Sequence, residues 1–152
     1  MTEILARDIM TTEIVTLGPE QTVTEAAKIL SEHHISGAPV LDNGGNLLGI
    51  VSENDLIIQD VKLHFPHYIQ FLDSYIYLGS LAKFESTLKK AVAAKVKEIM
   101  TPDVTTTVPE ASIEDVATLM VRQNVHLLPI MKDSHLVGVV SKGDIVRSLG
   151  RD

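Results

Sequence analysis

Gly49-Ile50-Val51-Ser52-Glu53-Asn54-Asp55 and Gly138-Val139-Val140-Ser141-Lys142-Gly143-Asp144 write one pattern twice. Each reads as the end of a buried strand that runs through a glycine into a hydroxyl and, three residues on, a carboxylate where a helix begins. Ser-x-x-Asp ahead of an apolar run is a capping signature, in which the serine oxygen accepts an orphan N–H of the first helical turn. The same carboxylate is all acceptor and can receive two hydroxyl protons from a ligand. A single copy leaves both readings open.

Working outward, the duplication extends over most of the chain. Asp8-Ile9-Met10-Thr11 returns ninety residues later as Glu98-Ile99-Met100-Thr101. Pro19-Glu20 then matches Pro109-Glu110, and Pro39-Val40 matches Pro129-Ile130. After a one-residue deletion, Gly49 to Asp55 matches Gly138 to Asp144. Matches at this many spaced positions define an internal repeat.

Within the first copy, Thr12 to Leu17 is rich in β-branched residues and predicts a short strand or extended entry that ends at Gly18-Pro19. Thr22-x-x-Glu25 is a capping box, and Val23, Ala26, Ala27 and Leu30 fall at helical spacing. Ala38-Pro39-Val40-Leu41 and Leu47-Leu48-Gly49-Ile50-Val51 flank the turn signal Asp42-Asn43-Gly44-Gly45-Asn46, which predicts a β-hairpin. The last helix starts at Ser52 and carries Leu56 and Ile57. The second copy repeats this plan: Ser112-x-x-Asp115 with Ile113, Val116, Ala117 and Met120, a hairpin through Lys132-Asp133-Ser134-His135, and a helix after Ser141 carrying Ile145, Val146 and Leu149. The fold class is therefore α+β, two pseudo-symmetric β-α-β-β-α repeats packed sheet to sheet. At about 55 residues, one copy alone would bury barely enough surface to fold. A shared core implies a pseudo-two-fold axis and two equivalent clefts.

The expected domains are residues 1–57, an insert or linker over 58–95, and residues 96–152. All six aromatics, Phe65, Tyr68, Phe71, Tyr75, Tyr77 and Phe84, fall in the insert. Leu81, Phe84, Leu88 and Ala91 or Val92 predict one apolar helical face there. These side chains either pad the core or form an oligomer or partner contact.

Composition narrows the function. With 45% hydrophobic and 22% charged residues the chain can fold around a core. A net charge of −7 supplies no general basic field, which argues against nucleic acid as a partner. There is no cysteine, and the start carries no export signal, so a soluble cytoplasmic protein with no membrane contact is expected. His64-x-x-His67 lacks the further ligands of a metal site, so no metal is expected, and His33-His34 reads as a pair offsetting a helix C-terminus. No nucleophile–base pair, phosphate loop or Gly-x-Gly-x-x-Gly is present, so the chain does not read as an enzyme.

These residues together resemble a tandem pair of cystathionine-β-synthase-type (CBS) domains, often called a Bateman module. The resemblance is carried by the two opening tetrapeptides, by Ile35-Ser36-Gly37-Ala38-Pro39-Val40-Leu41 and Val125-His126-Leu127-Leu128-Pro129-Ile130-Met131, and by the two glycine-to-aspartate motifs. It covers nearly all of the chain except the aromatic insert. The resemblance implies a regulatory module that binds an adenosine-containing ligand (AMP, ADP, ATP or S-adenosylmethionine) with no other cofactor, acts on an unidentified partner protein in trans, and forms a homodimer. The alternatives are a structural or protein-interaction module that binds no nucleotide and uses the aromatic insert, and a small nucleotide-hydrolysing enzyme.

Carried over by position, the resemblance puts Ser141 and Asp144 on the ribose and Val139 against the base in one cleft, opposite Thr11, Thr16, Ile35 and Ser36. The other cleft mirrors this with Ser52, Asp55 and Ile50 facing Thr101, Thr106 and Val125. His126, three residues before the hairpin proline, is the leading phosphate candidate, followed by Lys142, Lys132 and Arg147. Because Ser36 stands where His126 does, and Glu53 where Lys142 does, the two clefts are expected to differ in how they neutralise phosphate.

Overall fold

The computed structural model describes residues 3–57 and 94–150. The aromatic segment, with its helical stripe and His64-x-x-His67, lies outside the described residues. In chain order the named elements are α1 (Ala6–Ile9), α2 (Val23–Glu32), β1 (Gly37–Leu41), β2 (Leu47–Ser52), α3 (Val96–Ile99), α4 (Ile113–Gln123), β3 (Leu127–Lys132), β4 (His135–Ser141) and α5 (Lys142–Leu149). Residues 53–57 are also helical.

Each repeat forms one antiparallel hairpin, β1 with β2 and β3 with β4. The registers match: Pro39 stands opposite Ile50 and Pro129 opposite Val139, and each hairpin bulges just after, at Val40/Leu41 and Ile130/Met131. In the first turn the Asp42 carboxylate accepts N–H bonds from Gly44 and Asn46. The Asn46 backbone bond leads the interactions that hold its carboxyl below the ordinary value. The second turn is shorter and puts Asp133 and Ser134 both at positive φ, the geometry of a two-residue hairpin loop.

The expected strand over Thr12 to Leu17 is reduced to its two ends. Leu17 makes a parallel bridge to Val40, and Thr11 makes an antiparallel bridge to Val139 of the other repeat. The segment between crosses from one sheet to the other, so it cannot stay in register with either. This crossing also explains the strand prolines. The Pro39 and Pro129 carbonyls accept the N–H groups of Leu17 and Thr107. The missing proline N–H therefore falls on the outer side of the hairpin, where the β1–β2 or β3–β4 ladder does not need it.

The opening segments are exchanged between repeats. Ala6 of α1 is fully buried in a core made by Val116, Met120, Leu128, Ile130 and Val140 of the second repeat. Val96 of α3 is buried with Leu17, Ala26, Leu30, Ala38, Val40 and Val51 of the first. Matching backbone bonds fix both: Ala6 N–H to the Ala111 carbonyl (2.7 Å) and Ile113 N–H to Ile4, against Val96 N–H to Gln21 (2.8 Å) and Val23 N–H to Ala94. Each core thus takes a piece of the other copy's sequence. The two repeats hold each other's hydrophobic surface out of water, which a unit of about 55 residues does poorly alone.

Three expected core positions face outward: Ile57 is 58% exposed, and Val146, its repeat equivalent, and Leu149 on α5 are 66% and 71% exposed. The buried side of that helix carries Asp144 and Ser148 instead, with Ile145 packed beside them. Ala27 on α2 is likewise exposed, because the apolar stripe narrows to Ala26 and Leu30 with Val23 and Ile29 beside them.

Candidate ligand clefts between the repeats

Both glycine-to-aspartate motifs are built from three steps. At Gly138 the backbone meets Met10 of the exchanged segment, and a Cβ there would lie 2.5 Å from its Sδ. At Gly49 a Cβ would lie 2.8 Å from both the Met100 Sδ and the Thr101 carbonyl oxygen. Glycine lets the chains come this close without displacing a neighbour. The next residue hooks the crossing chain by paired backbone bonds, Val139 with Thr11 and Ile50 with Thr101, at 2.8 to 3.0 Å. The serine then caps the helix. Asp144 N–H donates to Ser141 Oγ at 3.2 Å, and Ser141 N–H returns a bond to the Asp144 carboxylate at 2.9 Å. Ser52 and Asp55 repeat this at 3.3 and 2.8 Å.

The opposite wall of each cleft is set by the way α2 and α4 end. His34 and Asn124 both sit at φ 53°, in the left-handed region. The following N–H groups, on Ile35 and Val125, bond back to the Leu30 and Met120 carbonyls. This is the Schellman ending. It turns Ile35 into one cleft and Val125 into the other.

The cleft below Asp144 has a volume of about 340 Å³ and is lined from the first repeat by Thr11, Glu13, Val15, His34, Ile35 and Ser36, and from the second by Val139, Ser141, Asp144 and Arg147. The cleft below Asp55 measures about 270 Å³ and gathers Ile50, Ser52 and Asp55 against Thr101, Asp103, Val104, Thr105, Val125 and His126. The first stands at the lower end of the small-molecule range, roughly 300–1,000 Å³, and the second just below it. Ser36, Gly37 and Leu127 line both. Gly37 and Leu127 are repeat equivalents, so the clefts meet where the pseudo-two-fold axis passes.

Of the fourteen residues expected at the ligand, twelve line a cleft. Thr16 and Thr106 do not; both are exposed, and Val15, Val104 and Thr105 stand nearer. Among the phosphate candidates His126 and Arg147 are lining residues, whereas Lys142 and Lys132 are not. Lys132 ends β3 opposite His135, at the far end of the hairpin. His33 bonds the Ile29 carbonyl through Nδ1, as expected of a helix-end histidine, but His34 lines the Asp144 cleft. Its repeat partner Asn124, and Glu13 with its partner Asp103, were also not expected there. The repeat register identifies them: each follows from the residue ninety positions away.

The two carboxylates differ in what already holds them. Asp144 is 7% exposed and its Oδ1 is paired with Arg147, three residues on. Among the described residues, Asp55 Oδ1 meets only the Thr101 hydroxyl, at 3.4 Å. Among the described residues no cluster of metal-ligating side chains forms, and no helix is long and apolar enough to cross a membrane.

The CBS-domain family model matches residues 6–61 and again 96–151. The chain belongs to the CBS-domain family. It is 32% identical to the uncharacterized protein MJ1426 of Methanocaldococcus jannaschii, over 96% of this chain and 91% of that one. It is 27% identical to the CBS domain-containing protein YhcV of Bacillus subtilis, over 91% and 81%. Among solved structures, the CBS domain pair of protein MJ0100 in complex with 5′-methylthioadenosine and S-adenosyl-L-methionine aligns with a TM-score of 0.72 at 27% identity, over 98% of each chain. CBSX2 of Arabidopsis thaliana in complex with AMP aligns at 0.73 and 24% identity over 97% of each, a likeness of fold. The tandem CBS pair is thus established for this chain.

Proposed function

We propose that this chain is a regulatory module that binds an adenosine-containing ligand in the clefts between its CBS repeats and transmits the bound state to a partner protein in trans. The observation that carries this reading is the pairing, in each cleft, of a helix-capping aspartate from one repeat with a backbone wall from the other. The carboxylate keeps acceptor capacity after capping and suits the two hydroxyls of a ribose. Ile50 and Val125 in one cleft, and Val139 and Ile35 in the other, give apolar surface for a base. The AMP complex of CBSX2 and the adenosine-derivative complexes of MJ0100 support this ligand class. A ligand that touches both repeats favours one arrangement of them, and that difference is the signal. The module acts as a cytoplasmic homodimer and performs no catalysis.

The test is a melting curve with AMP, ADP, ATP, S-adenosylmethionine and a guanosine control. A ligand at a hundred times its dissociation constant stabilises the native state by about 2.7 kcal/mol. A rise with an adenosine compound that is lost in the Asp55→Ala, Asp144→Ala double variant is the expected result. A flat panel would overturn the reading and favour a protein-interaction module that binds no nucleotide.

A further inference from the structure

The ionisable groups of the two clefts bear on which adenosine compound they take. Each cleft holds a second carboxylate, contributed by the crossing segment: Asp103 with Asp55, and Glu13 with Asp144. These two are repeat equivalents, at the same step after Thr11 and Thr101. Against them, the lining of the Asp55 cleft contains no lysine or arginine among the described residues, its one basic side chain being the imidazole of His126, as His34 supplies an imidazole to the other cleft. The Asp144 cleft contains one, Arg147, and its guanidinium is already engaged by the Asp144 carboxylate. The matching position in the first repeat is Ile58, which carries no charge. Lys142 gives its backbone N–H to the His126 carbonyl and is not among the residues lining either cleft.

Phosphate sites are built the other way, with arginine or lysine forks that the carboxylates leave free. A phosphate monoester brings about −2 at pH 7 into a partly enclosed space where like charges repel within a Debye length of about 8 Å. Resting on the adenosine reading above, we infer that both clefts select an adenosine derivative whose 5′ substituent is uncharged or cationic, a thioether or sulfonium, over one that carries phosphate. Asp55 and Asp144 hold the sugar, and Asp103 and Glu13 set the sign of charge that the clefts accept.

The experiment is calorimetric titration of the full chain with S-adenosylmethionine, adenosine, AMP and ATP at pH 8 and low ionic strength. S-adenosylmethionine is expected to bind at least about tenfold tighter than AMP, and ATP weaker than AMP, the size of effect one or two like-charge contacts give in a partly solvated site. Adenosine falls between S-adenosylmethionine and AMP. In the Glu13→Gln, Asp103→Asn variant the gap narrows because AMP binds tighter; both side chains are exposed, so their exchange leaves the cores intact. AMP or ATP binding as tightly as S-adenosylmethionine would overturn this inference and leave the adenosine reading standing. Equal effects of the double variant on all four compounds would also overturn it. Binding of none of the four would remove both.

Discussion

If exchanged segments hold the two repeats together, the glycines that open the motifs are where the exchange is most easily broken. At Gly138 the three nearest atoms to a new Cβ are the Sδ, Cγ and Cβ of Met10, at 2.5, 2.8 and 3.1 Å. At Gly49 the Met100 side chain is joined by the Thr101 carbonyl oxygen at 2.8 Å. That oxygen is tied by the Ile50 N–H and cannot withdraw without breaking the hook. Overpacking typically costs 1–3 kcal/mol, and Gly→Ala recovers some 0.4–1 kcal/mol from the unfolded chain. Gly138→Ala should therefore destabilise by about 1 kcal/mol, since a flexible methionine gives way, and Gly49→Ala by about 2 kcal/mol, since backbone does not. The decisive comparison is rescue. Adding Met10→Ala to Gly138→Ala removes the two nearest atoms, Sδ and Cγ, and leaves only Cβ at 3.1 Å, so the double variant should be close in stability to Met10→Ala alone, a coupling of about 1 kcal/mol. Adding Met100→Ala to Gly49→Ala leaves the carbonyl in place and should rescue only in part. Urea denaturation with a constant m-value compares the wild type with all six variants, Met100→Ala alone included. Equal rescue at the two glycines, or none at Gly138, would refute the argument that side chain limits one approach and backbone the other.

Four further outcomes follow from single contacts. Glu20 accepts bonds from Lys95 at 2.6 Å and Lys97 at 2.9 Å, which lower its carboxyl from 4.5 to about 2. The stabilisation relative to Glu20→Gln should be complete above pH 4.5 and vanish as pH falls toward 2, and a difference in urea midpoint that persists at pH 2 would contradict it. Thr22 and Ser112 cap α2 and α4 at 3.1 Å, so each alanine variant should lose about 1 kcal/mol in the same assay, and an unchanged midpoint would deny the cap its role. His34→Gly should raise stability by about 0.5 kcal/mol and Asn124→Gly by less, because asparagine tolerates the left-handed region better than histidine; a loss in either would argue against that backbone state. Asp144→Ala should lower stability by about 1–2 kcal/mol, since it leaves the half-buried Ser141 N–H without its acceptor and strips Arg147 of its partner, and a neutral result would place the carboxylate outside the capping box.

Much of this architecture was legible because duplication prints each element twice. The hairpins, the capped helices and the motif serines follow from local pattern: turn residues at Asp42 to Asn46, and Ser or Thr three residues before an acid. The exchange of Ala6 and Val96 was not legible, since short apolar helices fit either core equally well by composition. The outward turn of Val146 and Leu149 was hidden for a different reason. Their helix begins at a cleft, so its buried side begins with the polar residue Asp144 and continues to Ser148, against the usual apolar stripe. Thr16 and Thr106 fall one or two residues beyond the cleft linings, since the crossing segment is neither strand nor helix and gives side-chain direction no period. His34 was assigned to its helix end, where it does sit. The left-handed turn that also brings it to the cleft is readable in Asn124, whose side chain favours that conformation, and only through the repeat does it transfer to histidine.

The exchange and the clefts are one construction. Thr11 reaches Val139 only because Met10 passes Gly138, and that crossing carries Glu13 and Val15 into the Asp144 cleft. The same holds for Thr101, Ile50 and the residues Asp103 to Thr105. Each cleft is therefore roofed by the chain that locks its own core to the other repeat. A ligand that pushes on this roof acts directly on the joint between repeats, with no relay of side chains in between. Symmetry fails at one place on the axis. Gly37 has no side chain, whereas its equivalent Leu127 fills the wall that the clefts share, its Cδ2 3.8 Å from where a Gly37 Cβ would stand. Leu127 is thus the side chain that stands between the two clefts and lines both of them.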